Sequence, residues 1–395
     1  MRFILTTGLA LVLAACGAND AEGDAERQAS AADQVVNRDN GNLADSMASN
    51  DPGAGETTKE TIADSEERPI MQLQVVLDRR GFGPGVIDGK MGMSTENALR
   101  GFQEANGLEV TGKHDEATKQ ALAQSDGIAA TRVVTVPQDW SAKDYTDIPE
   151  ETAEKAELDR LDYTSLDERL AERFHTTLEV LKRLNPDGRP AGASAPDETA
   201  EQASDDSGTT EEATDGQQSY FTAGQQIRVP NIGADRIAPG AVDDSGWQQT
   251  LASLGVGTEQ PEVDRIVVSK VGKTLKAFKG DKLVALFTVS SGSSQFPLPL
   301  GEWDILGEAY NPPYSYDPEV LGQGDGETYK LPPGPNCPVG VVWIDLSKEH
   351  YGIHGTPEPE TIGRAQSSGC VRLTNWDAAR LAEMVSQKTR VEFVA

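Results

Sequence analysis

Two short runs near the C-terminus hold the residue types that could carry out covalent chemistry. They are Gly352-Ile353-His354-Gly355-Thr356 and Ser367-Ser368-Gly369-Cys370-Val371-Arg372-Leu373. The nucleophilic form of cysteine is the thiolate, and an ordinary thiol of pKa ~8.5 is mostly protonated at neutral pH. A histidine at the end of a neighbouring strand can take that proton and form an ion pair with the sulfur. Ser367, Ser368 and Gly369 suit a tight turn before Cys370, with backbone N–H groups facing a developing oxyanion. A cysteine and a histidine occur together in many chains, so the surrounding pattern has to narrow the reading.

Other chemistries are excluded by what the chain lacks. Four histidines without an H-E-x-x-H pattern argue against a metallopeptidase. His350 and His354 would share one face of a strand, but no carboxylate or cysteine pattern completes a metal site, and neither a metal nor a cofactor is expected. His114 and His175 take surface or capping roles by default. The three cysteines, Cys16, Cys337 and Cys370, are too few for a disulfide scaffold or a Cys-rich zinc module. Lys plus Arg number 35 against 64 Asp plus Glu, a net charge of −29, so no nucleic-acid partner is expected. Hydrophobic residues at 37% and aromatics at 6% are low for a wholly globular chain, so part of it should be unpacked.

The elements that must position the two runs form a β-rich domain over 262–395. Asp264–Lys270, Lys273–Lys279 and Lys282–Ser290 read as a meander broken at Val271-Gly272 and Gly280-Asp281. Val339–Leu346, Tyr351–His354 and Val391–Val394 are further strands. Thr374 or Asn375 caps a helix carrying Ala378, Leu381, Ala382 and Val385 on one face. From Phe296 to Pro338 the chain is dense in Pro, Gly and Tyr, a long loop of the kind that is more often functional than idle. Trp303 is expected to pack; Tyr310, Tyr314 and Tyr316 either line a groove or pack.

The combined pattern His-Gly-Thr followed by Ser-x-Gly-Cys-x-Arg resembles the active-site signature of the L,D-transpeptidase catalytic family. The likeness extends through Pro332-Pro333-Gly334-Pro335, Asn336-Cys337-Pro338-Val339-Gly340 and Ile344 to the terminal helix and strand. The resemblance implies acyl transfer on peptidoglycan stem peptides. Cys370 would attack the L-centre carbonyl of diaminopimelate in a tetrapeptide donor, release the terminal D-Ala, and pass the thioester to an amine as a 3→3 cross-link. In that reading His354 is the base and later the acid, and the Gly355 carbonyl orients its imidazole. The Gly369 and Cys370 amides contribute to the oxyanion hole. Arg372, Ser367, Ser368 and Thr356 would contact substrate, with Arg372 alternatively holding the cysteine loop or forming a structural ion pair. The family also implies acylation of Cys370 by carbapenems. Two positions depart from the pattern. Ser368 stands where relatives often carry a basic or aromatic residue, and Cys337 where they commonly carry Asn. Cys337 is either a small buried residue beside Pro338 or a partner of Cys370 in an inhibitory disulfide, which would call for a thiol reductase.

Upstream, Arg2 and the apolar run Phe3–Ala15 end at Leu13-Ala14-Ala15-Cys16-Gly17. The run is too short for a membrane span of ~20 residues. It resembles a bacterial lipoprotein signal (1–16) with Cys16 acylated, which implies an exported chain, lipid-anchored on the periplasmic side and associated with the wall. Gly17 permits outer-membrane sorting. Residues 17–67, rich in Ala, Asp, Glu, Asn and Ser, read as a disordered acidic tether.

Residues 68–125 show three helical segments, opened by Pro69, by Ser94 or Thr95, and by Asp115. Leu73-Gln74-Val75-Val76-Leu77, Gly81-Phe82, Val86-Ile87-Asp88-Gly89, Phe102-Gln103 and Asn106-Gly107-Leu108 resemble the peptidoglycan-binding three-helix domain. A connector is expected over 126–157. In 158–235, Leu166, Leu170 and Phe174 form one helix face, a second helix runs from Leu178 to Leu184, and Ala223–Pro230 follows. This resembles a LysM-type βααβ module interrupted by a disordered insertion at 190–219, with Leu166-Asp167-Glu168 in place of the usual Gly-Asp-Thr.

The expected fold is therefore multidomain: a small three-helix bundle, a LysM-like module, and a mixed β-sandwich with a capping helix. The expected function is a wall-held L,D-transpeptidase. An L,D-carboxypeptidase or a protein-to-peptidoglycan ligase would use the same residues, and a non-catalytic anchoring lipoprotein is the remaining alternative. The bundle is expected to be separable, so that removing 69–125 would leave turnover nearly intact.

Overall fold

The computed structural model describes residues 62–395, apart from 142–144, 146, 195–218, 234–236, 238, 239, 241, 323, 366 and 368. The signal, Cys16 and most of the tether lie outside the described residues, as do Ser368 and most of the 190–219 insertion. Among the described residues no helix is long and apolar enough to cross a membrane.

The bundle begins where Pro69 occupies the first turn of α1 (Pro69–Arg79), a position whose N–H would have no helical partner. After β1 (Phe82–Gly83), α2 (Met93–Ala105) and α3 (Glu116–Leu122) complete it, with Asp115 capping α3 by accepting the Thr118 amide at 3.0 Å. Neither Ser94 nor Thr95 caps α2, whose N-cap position is Gly92. Helix α1 is buried on two sides. Leu73, Val76 and Leu77 enter a core with Phe82, Leu99 and Phe102, whereas Met71 and Val75 enter a second core with Leu170, Leu181 and Ile227.

That second core belongs to a βααβ unit of β2 (Thr131–Thr135), α5 (Leu166–Arg173), α6 (Leu178–Leu184) and β3 (Gln226–Pro230), with a short α4 (Thr152–Lys155) between β2 and α5. Strands β2 and β3 pair antiparallel from Thr131↔Pro230 to Thr135↔Gln226. The unit's first strand therefore lies inside 126–157, the segment expected as a connector. Thr131, Val133, Val134 and Thr135 are β-branched, and their pairing partners lie far along the chain, where local pattern does not reach. The end of the expected tether is also ordered. The buried Arg228 side chain donates to the Ile62 and Ala63 carbonyls at 2.9 and 3.0 Å, and Asp64 pairs with Arg68 at 3.0 Å.

Ahead of the C-terminal strands lies α7 (Ser245–Leu254), capped by Asp244, stopped by Gly255 in the left-handed conformation, and packed into the same core. Strands β4 (Arg265–Ser269), β5 (Thr274–Lys279) and β6 (Lys282–Thr288) form the expected meander, followed by β7 (Ser290–Ser291). The span 296–338 is not one long loop. It contains β8 (Gly301–Tyr310), β9 (Tyr314–Tyr316) and β10 (Tyr329–Leu331). Then come β11 (Val342–Leu346), β12 (Gly352–His354), β13 (Val371–Arg372), α8 (Asn375–Ala382) and β14 (Arg390–Val394).

The strands build one mixed ten-stranded sheet in the order β1-β6-β5-β4-β14-β8-β11-β12-β13-β7. Strand β8 joins its halves: residues from Gly301 to Asp304 pair with β14, and those from Ile305 to Tyr310 pair with β11. Helices α7 and α8 fill the interior with Trp247, Leu251, Trp376 and Leu381 against Ile266, Phe287, Ile344 and Val391. The edge strand β1 comes from the bundle and pairs parallel with β6, Phe82↔Leu286 and Gly83↔Phe287.

Candidate active site

Strand β12 lies between β11 and β13, antiparallel to the first and parallel to the second. The register sets His354 opposite Trp343 on one side and Arg372 on the other. Continued one step back, it sets Cys370 beside Gly352, on the face that also carries His354 and Arg372. The Gly352 amide faces the Cys370 sulfur, and the thiol contacts the His350 carbonyl at 3.7 Å. Cys370 is partly exposed.

The imidazole is held from two directions. Its Nδ1 lies 2.7 Å from the Gly355 carbonyl oxygen, so Nδ1 carries the proton as donor and Nε2 is left as the acceptor. The Trp343 indole stacks on the ring, centroids 5.5 Å apart at 20°, and also lies against Gly352. His354 is 6% exposed, and burial, reinforced by the charge of Arg372, pulls its pKa down to about 4 despite the Gly355 bond. Burial pushes the Cys370 thiol up, against the opposing effects of the Gly352 amide and Arg372. Both groups therefore favour their neutral forms. These shifts run against the ion pair expected from sequence, because burial makes both charges costly.

The loop before Cys370 is built for close approach. Gly369 has φ +108°, and a Cβ there would come within 2.7 Å of the Tyr351 ring. Ser367 is buried, and its hydroxyl accepts from the Gly292 amide at 2.7 Å while donating to the Cys370 carbonyl at 2.5 Å. Thr356 is 1% exposed, with its hydroxyl accepting from the Glu358 amide at 3.3 Å. The Ser367 hydroxyl thus ties its turn to Gly292 and to Cys370, and the Thr356 hydroxyl holds its own turn, which fixes the backbone on either side of the site. Ser368 lies outside the described residues. Arg372 is half-buried and acts electrostatically on Cys370, His354 and Glu358.

Cys337 is fully buried among Leu161, Leu331 and Val339, with its sulfur 3.8 Å from the Pro312 carbonyl. Burial raises its pKa to about 11. Both it and Cys370 are free thiols. Tyr314 packs in the same cluster and feels both cysteines, which together with burial raise its pKa to about 12. Tyr316 joins this packing, Tyr310 stacks on Trp247 at 4.5 Å, and Trp303 packs on the core while donating to the Pro299 carbonyl. Among the described residues no group of three or more His, Cys, Asp or Glu side chains could hold a metal ion. His175, expected at the surface or at a cap, is fully buried: it stacks on Trp376 at 4.8 Å and meets the Leu254 carbonyl through Nε2 at 3.0 Å. A partner distant in sequence made the difference.

Sequence reading missed three groups at the site. Trp343 had a usable signal, since it lies mid-strand opposite the histidine's run. Tyr351 and Asn375 had none, because their neighbours Gly369, Gly340 and Gly355 become neighbours only in the fold.

Comparisons with known proteins bear on the family of each segment. The family model described as the L,D-transpeptidase catalytic domain matches residues 263–393, and one described as a peptidoglycan-binding domain matches 66–122. A Bacillus licheniformis protein named as an L,D-transpeptidase, YkuD, is 34% identical over 143 residues, covering 36% of this chain and 73% of its own length. Its Bacillus subtilis namesake is 33% identical over 126 residues, covering 32% of this chain and 63% of its own. A solved L,D-transpeptidase from Mycobacterium smegmatis aligns over 34% of this chain and 59% of its own at 25% identity, with a TM-score of 0.29. On the Bacillus licheniformis relative and the match at 263–393, the chain belongs to the L,D-transpeptidase family, with a peptidoglycan-binding domain upstream.

Proposed function

We propose that the chain is a cysteine acyltransferase that forms 3→3 cross-links between peptidoglycan stem peptides. The observation that carries this reading is the His354 Nδ1 bond to the Gly355 carbonyl, which leaves Nε2 free to accept a proton one strand away from a partly exposed thiol. The carbonyl plays the part that a carboxylate plays in a protease triad.

In this reading Cys370 attacks the L-centre carbonyl of diaminopimelate in a tetrapeptide. As the C–S bond forms, the thiol proton passes to His354 Nε2, and the Gly369 and Cys370 amides receive the oxyanion. The imidazolium then protonates the departing amine of D-Ala, leaving a thioester. An incoming amine attacks it, His354 takes the amine's proton, and the thiol is regenerated with a new amide bond. Arg372 supplies fixed positive charge near the sulfur, which favours the anionic stages of both steps.

The remaining parts fit the same reading. The 68–125 domain holds the enzyme on peptidoglycan, and the 158–235 LysM-like unit contacts or spaces it. The segment ahead of Ile62 tethers the chain to an acylated Cys16, on the exported side of a membrane. Incubation with disaccharide tetrapeptide followed by mass analysis tests the reaction. A dimer lacking one D-Ala supports it, tripeptide alone indicates water as acceptor, and unchanged donor with wild-type protein overturns the enzymatic reading in favour of an anchoring lipoprotein. A protein amine as acceptor would appear as muropeptide mass on an envelope polypeptide.

A further inference from the structure

The Gly355 peptide that orients His354 is itself packed on a side chain. A Cβ at Gly355 or Gly340 would run into Asn375 Oδ1, so the Asn375 amide lies directly on both backbones. That amide makes a complete set of bonds: Nδ2 donates to the Pro335 carbonyl at 3.1 Å and to Glu172 Oε1 at 2.7 Å, and Oδ1 accepts the Val341 amide at 3.3 Å. Glu172 does not belong to the catalytic domain. It lies on α5 of the βααβ unit and is 8% exposed.

We propose that Glu172 is a positioning residue for acyl transfer: by fixing Asn375 it holds the Gly355 peptide, and with it the carbonyl that orients His354. The inference rests on the acyl-transfer reading above and adds that an upstream unit completes the catalytic geometry. The 2.7 Å bond to a carboxyl oxygen is the shortest of the three that Asn375 makes. Without it only the longer Pro335 and Val341 bonds hold the amide, and the buttress of Oδ1 on Gly355 loosens. The titratable groups facing the carboxyl are the Tyr163 hydroxyl and Glu168. A protonated carboxyl or a Gln amide keeps an oxygen that accepts from Asn375, whereas Leu does not.

The test uses the full chain as wild type, Glu172→Leu, Glu172→Gln and Thr177→Ala. Thr177 caps α6 in the same unit, so its loss weakens that unit without touching Asn375. Expected for Glu172→Leu is a fall in kcat of about tenfold or more with KM held within about twofold, because the base is misplaced but donor binding is not. Glu172→Gln should stay within about twofold of wild type, and Thr177→Ala should lower Tm but not kcat. A second readout does not depend on turnover. The downfield His354 Nδ1–H proton resonance, assigned with a His354→Gln variant, reports the bond to Gly355; it should broaden or move upfield in Glu172→Leu and persist in Glu172→Gln. An unchanged kcat and resonance in Glu172→Leu overturns the inference, as does a kcat loss that simply tracks Tm across all three variants. An inactive wild type with the resonance shifted only in Glu172→Leu would overturn the enzymatic reading and leave the positioning role standing.

Discussion

The catalytic loop and the bundle–sheet junction are held together in different ways. Around Cys370 the structure relies on backbone: a three-residue strand, a two-residue strand, and hydroxyls of Ser367 and Thr356 folded onto nearby amides and carbonyls. At the junction it relies on buried side chains. Leu283 and Leu286 of β6 share a core with Phe82, Leu99 and Phe102, and the Phe82 and Phe102 rings meet edge to face at 5.8 Å. Beside them Asp78 of α1 contacts Arg380 of α8 through both oxygens at 3.2 and 3.4 Å, and His175 of the βααβ unit at 3.6 Å. The lesson is that the segments with family resemblances are not separate beads. The reactive loop is local and readable; the parts that look modular are joined through one interior.

The comparison can be broken from either side. Cys370→Ala should have the largest effect: transfer falls by three orders of magnitude or more, roughly the loss seen when a covalent nucleophile is removed, while sedimentation with sacculi is retained. Residual transfer at the wild-type rate would place the chemistry elsewhere. Deletion of 69–125 follows. The expectation of intact turnover is reversed, because the cut strips the cover from Leu283 and Leu286 and removes the carboxylate beside Arg380. The truncated chain should be insoluble or unfolded by circular dichroism; a folded, active product would restore the beads-on-a-string view.

Asp78→Ala is the point version of that deletion. Asp78 is completely buried, and burial alone would raise its pKa, but the charges of Arg380 and His175 outweigh this and hold the carboxyl well below the usual range. Removing it should lower stability by about 3–5 kcal/mol in urea titration, since the buried Arg380 loses the carboxylate it contacts through both oxygens. The sign with pH follows. A depressed carboxyl contributes stability above its unfolded pKa and loses it as the pH falls, so the wild type's advantage over Asp78→Ala should shrink on acidification.

Gly101→Ala should cost about 1–3 kcal/mol, although alanine normally strengthens a helix interior. A Cβ at Gly101 would come 2.8 Å from Leu286 Cβ on the catalytic sheet. A rise in Tm would show that the contact is slack. The smallest effect is a shift in pH dependence. Acylation needs a neutral His354, so kcat/KM should climb through about pH 4 and not through the ordinary histidine range. An acid limb near 6.5 would mean that the imidazole is better solvated than its surroundings indicate.

Much of this was legible in the sequence, and the limits have physical causes. The β4–β6 meander, the Asp115 cap and the helix after Thr374 follow from short-range pattern, and so do the two reactive runs. Strand β8 was hidden because, of its ten residues, only Ile305 is buried, so a strand central to the sheet carries almost no alternation. Helix α7 was readable in its Asp244 cap, its Trp247, Leu251 and Leu254 spacing and Gly255, but it lies before the recognisable start of the domain. The hydrogen bonds of Ser367 and Thr356 were not legible, because sequence gives a residue's type and not the direction of its hydroxyl. Asp78 with Arg380, and Glu172 with Asn375, join positions that only the fold brings together.

Strand β1 is only two residues long, yet it occupies the outer hydrogen-bonding edge of β6, a strand reading Leu283-Val284-Ala285-Leu286-Phe287. An apolar edge of that kind, left open, is a template on which a second molecule can extend the sheet. By seating Phe82 and Gly83 there, the bundle takes the place at Leu286 and Phe287 that a strand from another molecule would need.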